Sequence, residues 1–246
     1  MNAIIIGYCF LMGIICGSYS NMLIYRLPRK ESTFFPRSHC PSCNHTLSAI
    51  DLIPLFSYLL LRGKCRYCST RISGRYFLTE LFLGLVFVLV FFKFGLTVYT
   101  LAGWLLVSVM TIASFTDIET GTIPDSLNLF GVISGLALSY FTIGFSSSIL
   151  GLLFFSAILL FLAIISNGGM GGGDIKLAAV IGSFLGVSGS VAVLFIASLS
   201  GGIYAIFMLI LGRKSKKDFI KFGPFLGIAT LAVFLYSNSI LRLIGF

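Results

Sequence analysis

Apolar residues in this chain do not alternate with polar ones; they run, in blocks separated by short polar or glycine-bearing breaks. The runs lie near 3–24, 77–95, 98–116, 127–143, 148–166, 175–187, 190–211 and 225–243. A helix rising 1.5 Å per residue needs about 20 mostly apolar residues to cross a hydrocarbon core about 30 Å thick. The pattern therefore predicts an all-α polytopic membrane protein with about eight transmembrane helices. The sixth run is short, and Gly182, Gly186 and Gly189 leave its boundary with the seventh loose. No positive charge precedes the first run, and Arg26, Arg29 and Lys30 follow it, so it reads as a retained helix and not a cleavable signal. The only sizeable polar stretch separates the first helix from the second. This divides the chain into a first helix (1–25), a polar module (26–76) and a membrane core (77–246).

Composition agrees. A mean hydropathy of +1.04 with 57% hydrophobic and only 10% charged residues excludes an ordinary soluble domain. A net charge of +9 would suggest nucleic acid in a soluble protein, but placement matters more here. Nine basic residues fall within 26–75, and Arg213, Lys214, Lys216, Lys217 and Lys221 form a second cluster, together 14 of the 17. Positive loops stay on the cytoplasmic side, so both clusters should face the cytoplasm. Eight crossings satisfy this and bring 117–125 and 167–174 to the same face, with the N-terminus outside. Lys93 and Arg242 fall near the outer face as a minority. Nucleic acid is thereby excluded as a partner, and anionic lipid headgroups are the natural one.

Candidate chemistry sits at two breaks. Gly168-Gly169-Met170-Gly171-Gly172-Gly173-Asp174-Ile175-Lys176 places five glycines and an aspartate between two apolar runs. Ionisable groups at membrane depth are rare and mark polar functional cavities, while glycines let the backbone leave helical geometry and admit another chain. A glycine turn whose aspartate caps the next helix is the plainer alternative. The second break, Asp117-Ile118-Glu119-Thr120-Gly121-Thr122-Ile123-Pro124-Asp125, again offers an aspartate at a membrane boundary. Two carboxylates sharing one proton give one acid and one base, enough to activate water on a peptide bond. Other routes lack residues. The only two histidines flank cysteines, which removes a Ser–His pair, and Lys176 follows Asp174 too closely to be kept neutral as a nucleophile. Asp117 and Asp174 are thus the candidate catalytic pair. The rival is an ion-coupled transporter in which they bind a cation at a broken helix.

The polar module carries Cys40-Pro41-Ser42-Cys43 and Cys65-Arg66-Tyr67-Cys68, two C-x2-C pairs separated by 21 residues. Two thiolate pairs at such spacing close a tetrahedral zinc site, and a cytoplasmic face disfavours disulfides. Four cysteine ligands leave no position for water, so the zinc would be structural. His39 and His45 flank the first pair as substitute ligands or bystanders; Cys9 and Cys16 read as buried apolar side chains. Asn21 should bond across a helix interface, and Glu80 should pair with an arginine or face a polar cavity.

In this order the motifs resemble those of the type IV prepilin peptidases, GxGD-class intramembrane aspartyl proteases. Gly171-Gly172-Gly173-Asp174 with Ile175-Lys176-Leu177 resembles the family's GxGDxKL motif, and Asp117 through Ile123-Pro124-Asp125 its first aspartate motif. Gly17-Ser18…Asn21…Tyr25-Arg26-Leu27-Pro28, both cysteine pairs, Arg62-Gly63-Lys64-Cys65 and Phe222-Gly223-Pro224-Phe225 follow in family order. Where the family often has Asn-Ile-Pro and Tyr-Pro, this chain has Leu52-Ile53-Pro54 and Tyr76-Phe77. The resemblance implies a bacterial inner-membrane aspartyl endopeptidase with Asp117 and Asp174 as the catalytic pair and Asp125 supporting the loop. It implies cleavage of the basic leader of prepilins and pseudopilins, after a glycine, at the cytoplasmic boundary. It further implies N-methylation of the new terminus, with S-adenosylmethionine as donor, through residues that no motif here identifies.

Overall fold

The computed structural model describes residues 3–166, 170–212 and 221–244, and every regular element among them is helical. Gly168, Gly169, Arg213, Lys214, Lys216 and Lys217 lie outside the described residues, as does the side chain of Arg242. The helices are α1 (Ala3–Arg26), α2 (Phe56–Leu60), α3 (Gly74–Phe94), α4 (Val98–Thr120), α5 (Asp125–Ser139), α6 (Phe145–Ile165), α7 (Gly172–Ile210) and α8 (Gly223–Ile244). A 3-10 turn at Ile50–Leu52 precedes α2.

By length and composition α1, α3, α4, α6 and α7 can each cross a membrane; α5 and the Gly223–Tyr236 part of α8 are apolar but shorter. The sixth and seventh predicted runs lie together in α7, whose 39 residues would measure about 58 Å if straight, nearly twice a hydrocarbon core. It is not straight. Gly186, at φ 67° and ψ −169°, breaks the helix into two arms at a conformation that favours glycine.

The chain forms two compact units, Met1–Leu96 and Thr97–Phe246. In the first, α1 and α3 approach backbone to backbone. A Cβ on Gly13 would lie 2.6 Å from the Leu83 carbonyl oxygen, and one on Gly17 2.6 Å from the Glu80 Cα. Such small-residue contacts are how helices associate where lipid removes the hydrophobic drive. Asn21 Nδ2 donates to the Tyr76 carbonyl at 3.0 Å, the helix-to-helix bond expected of it. In the second unit α7 lies against α5, α6 and α8, and α8 also against α4. Gly151 and Gly182 touch directly, Ser148 Oγ donates to the Ser183 carbonyl at 2.6 Å, and Gly131 faces Val180. These small residues bring α5 and α6 close to the N-terminal arm of α7, which carries Asp174.

Candidate functional site

Asp117 stands in the last turn of α4. Gly121 ends that helix in the left-handed region (φ 68°), its N–H bonding the Asp117 carbonyl at 2.9 Å. The chain then turns through buried Ile123 and Pro124 into α5. Gly173 fits against this turn: a Cβ there would sit 3.1 Å from the Ile123 Cβ. The glycine therefore lets the first turn of α7 reach the first aspartate motif. Asp174 lies in that turn.

The two carboxylates are each 7% exposed, and Asp174 feels the charge of Asp117 directly. Their surroundings differ. Gly223 N–H, at the start of α8, donates to Asp117 Oδ2 at 3.1 Å, and the Lys221 ammonium acts on the same carboxyl while bonding the Ile118 carbonyl. Asp174 Oδ1 is buried with no hydrogen-bond partner among the described residues. Lys176 pairs with Asp125 Oδ1 at 2.6 Å, on the surface, so it ties the first turns of α5 and α7 together and is not Asp174's partner. Gly223 and Lys221 were not assigned to the site from sequence. The one signal was Phe222-Gly223-Pro224-Phe225 in family order, and nothing in the spacing said which carboxylate it would meet.

The four cysteines gather within the first unit. Their Sγ atoms all lie within 4.8 Å of one another, and Cys40 and Cys68 Sγ are 3.8 Å apart. Thiolates about 2.3 Å from a tetrahedral zinc stand about 3.8 Å apart, so the donor set fits that ion. Each pair sits on the same turn: Asn44 N–H bonds the Cys40 carbonyl (2.8 Å) and Ser69 N–H that of Cys65 (2.9 Å). Asn44 and Ser69 both take positive φ, 55° and 58°. The Thr70 hydroxyl, then its backbone, draws the Cys68 thiol down, while the neighbouring thiols Cys40 and Cys68 push Cys43 up, as expected of four sulfurs that share one small site. Neither histidine joins the cluster: His45 stacks on Tyr67 with ring centroids 3.6 Å apart, and His39 Nδ1 faces the Arg37 carbonyl.

Asp51 organises the adjoining loop. Its carboxylate accepts from Ser48 Oγ (2.7 Å) and N–H (3.1 Å), Arg66 Nε (2.6 Å) and Tyr67 Oη (3.1 Å). These donors, Ser48 first, hold it down at about 2. Among the described residues no arginine pairs with Glu80. Its Oε2 accepts the Leu55 N–H at 2.7 Å, tying the polar module to α3.

Comparison with known proteins adds a lineage. Residues 11–94 match the family model described as Bacterial Peptidase A24 N-terminal domain, and residues 104–206 match the Type IV leader peptidase family. A prepilin leader peptidase/N-methyltransferase from Bacillus subtilis (strain 168) is 36% identical over 235 residues, 94% of this chain and 94% of its own. The chain belongs to the type IV leader peptidase family. Proteins of the same name from Neisseria gonorrhoeae and Aeromonas salmonicida (strain A449) are each 33% identical. The first match covers 96% of this chain and 92% of its own. The second covers 95% and 91%. No solved structure matches. The two matches fall one within each compact unit, the first spanning the four cysteines and the second spanning Asp117 and Asp174.

Proposed function

We propose that this leader peptidase cleaves the basic leader of type IV prepilins and pseudopilins after glycine, with Asp117 and Asp174 as its catalytic pair. The observation that carries the reading is two buried carboxylates, from separate motifs, in electrostatic contact, each with one backbone donor (Gly223 at Asp117, Gly171 at Asp174) but only Asp117 with an ammonium, Lys221, acting on it. One carboxyl is ionised and the other keeps the shared proton; the backbone N–H at each offsets the other, and the Lys221 ammonium makes Asp117 the ionised member. The helix dipoles argue the other way, since Asp174 opens a helix and Asp117 closes one. They are worth about 0.3–1 kcal/mol, and the Lys221 charge, which Asp174 lacks, acts against them.

In the reaction Asp117 takes a proton from water while Asp174 gives its hydrogen bond, then its proton, to the scissile carbonyl oxygen. Water oxygen bonds to the carbonyl carbon, and the tetrahedral species collapses. Its C–N bond breaks as Asp117 passes the acquired proton to the leaving amine and one hydroxyl of the tetrahedral carbon returns its proton to Asp174, which leaves a carboxylic acid, a free amine and the pair as it began. The substrate must be extended at that point, and Gly172, beside which a side chain would meet nothing within 4 Å, leaves room for it.

Zinc would be held by Cys40, Cys43, Cys65 and Cys68, where it closes the two knuckles and takes no part in hydrolysis. The relatives' names include N-methyltransferase, which supports a second activity; we assign it to the new N-terminus, with S-adenosylmethionine as donor. Counting both arms of α7, with α5 and α8, gives eight crossings of the bacterial inner membrane, and the positive clusters put the cysteine module and both aspartate motifs at the cytoplasmic face.

The deciding experiment is cleavage of a purified prepilin by the native chain, Asp117→Asn and Asp174→Asn, with the product's N-terminus weighed. Loss of cleavage in both folded variants is expected. A methyl increment that requires S-adenosylmethionine is expected in the native product. Cleavage at the native rate by either variant would remove the pair from catalysis, and ion flux without cleavage would favour a transporter.

A further inference from the structure

Residues 50–60 of the polar module carry an apolar face that nothing in their own unit covers. Phe56, Leu59 and Leu60 are 63%, 60% and 79% exposed, and Ile53 is exposed beside them. A module bathed in water gains nothing by presenting four large apolar side chains together. Their attachment explains them. Leu55, between the 3-10 turn and α2, is buried and gives its N–H to Glu80, the seventh residue of α3. Six residues at 1.5 Å place that bond about 9 Å along α3 from its start. Tyr58, one turn on, packs its ring 5.6 Å from Phe77 of α3 and reaches the Ile72 carbonyl with its hydroxyl. The segment is therefore held beside the first two turns of a membrane-crossing helix and not out at the level of the cysteine knuckles.

Two features name the occupant of the free face. Leu78 and Phe82 on those same turns of α3 are also exposed, so at the level where 53–60 is held the crossing helix itself presents apolar side chains outward. Basic residues flank the segment, with Arg62 and Lys64 exposed just after it and Arg75 over the Tyr76 ring at the start of α3. Apolar side chains bordered by cations, with an aromatic at the boundary, are what an interfacial segment offers to acyl chains below and anionic headgroups above.

We propose that residues 50–60 lie in the membrane interface, with Ile53, Phe56, Leu59 and Leu60 in the headgroup–acyl boundary of an anionic leaflet. The hydrogen bond from Leu55 to Glu80 sets the depth. The polar module is then fixed against the bilayer at three points, the ends of α1 and α3 and this segment, which limits how its knuckles can swing.

The chain has a single tryptophan, Trp104, which makes the test direct. In full-length protein carrying Trp104→Phe, a tryptophan is introduced by Phe56→Trp, Leu60→Trp, Leu85→Trp on α3, or Ser42→Trp at a knuckle tip. Each is reconstituted in phosphatidylcholine–phosphatidylglycerol vesicles, with lipids brominated near the glycerol end of the acyl chain. Phe56→Trp and Leu60→Trp should lose most of their emission to bromolipid, as Leu85→Trp does, and resist iodide. Ser42→Trp should do the reverse. Iodide quenching at 56 and 60 like that at 42 would put the face in water and overturn the proposal. Shielding from both quenchers would overturn it too, by showing a protein cover such as a second copy. Prepilin cleavage by Asp117 and Asp174 does not enter these readouts, so either reading can fail alone.

Discussion

At the scale of single residues, the aspartate pair depends on an atom that is missing. A Cβ on Gly223 would lie 2.9 Å from Asp117 Oδ2 and 3.2 Å from the Asp117 Cβ, with the α4 backbone behind them. Gly223→Ala should therefore push the carboxylate off its N–H donor without straining its own backbone. We expect cleavage to fall by about 10- to 100-fold, the cost of misplacing a reacting group by about an ångström, while the melting temperature barely moves. Single-turnover cleavage and thermal unfolding of the same preparation separate the two effects. Asp51 gives a prediction in pH. Its folded pKa of about 2 lies below the unfolded value of about 3.9, so its contribution is present above pH 4 and disappears as pH falls towards 2. Asp51→Asn should melt below the native chain at pH 7, and the gap should close between about pH 4 and 2. Asp117 and Asp174 were legible in the sequence because a carboxylate at an apolar boundary is costly enough to stand out. Gly223 was not, since a residue whose use is to have no side chain leaves no chemical signal. The Leu55 partner of Glu80 was not legible either, because it is a backbone N–H, and every residue but proline offers one.

Among the elements, glycines set which helices can approach. A Cβ on Gly151 would fall 2.6 Å from both the Cα and the carbonyl carbon of Gly186, backbone atoms that cannot swing aside. Gly151→Ala should thus cost about 1–3 kcal/mol by overpacking the α6–α7 contact. Gly202, also in α7, has nothing within 4 Å of a built Cβ, so Gly202→Ala should be neutral or gain up to about 1 kcal/mol from helix propensity. Thermal unfolding in one detergent compares the pair, and equal effects would mean that propensity, not contact, governs. The same scale shows what a hydropathy pattern can carry. Helix positions followed the apolar runs because lipid enforces satisfied backbone bonds, which only a helix supplies within one segment. The join between the sixth and seventh runs was marked by three glycines, and the break fell at Gly186 alone, the one of the three with positive φ. Pattern could not choose among them, since backbone dihedrals are decided by what packs alongside. α2 escaped notice for a related cause: five residues are too few for a period to register.

For the whole molecule, the two units have unequal sources of stability. Thr97–Phe246 buries its interior among five helices, α4 to α8. The polar part of Met1–Leu96 holds one short helix, one 3-10 turn and two isolated bridges, His39 with Thr46 and Lys64 with Arg71, too little to outweigh the entropy of ordering about 50 residues. Both bridges lie at the cysteine knuckles, so what order the module has converges on the four thiolates. Metal binding there would be folding free energy. We therefore expect one zinc per chain by elemental analysis, lost in Cys65→Ser. Stripping the metal with a chelator should open residues 38–72 to protease and lower the transition of the first unit. The transition of Thr97–Phe246 should stay where it was, because that stretch forms a compact unit of its own. Mass analysis of the fragments identifies which unit opened. A chelator that lowered both transitions equally would mean the units unfold as one, and a protein that melts unchanged with no zinc would leave the cysteine cluster without a structural role.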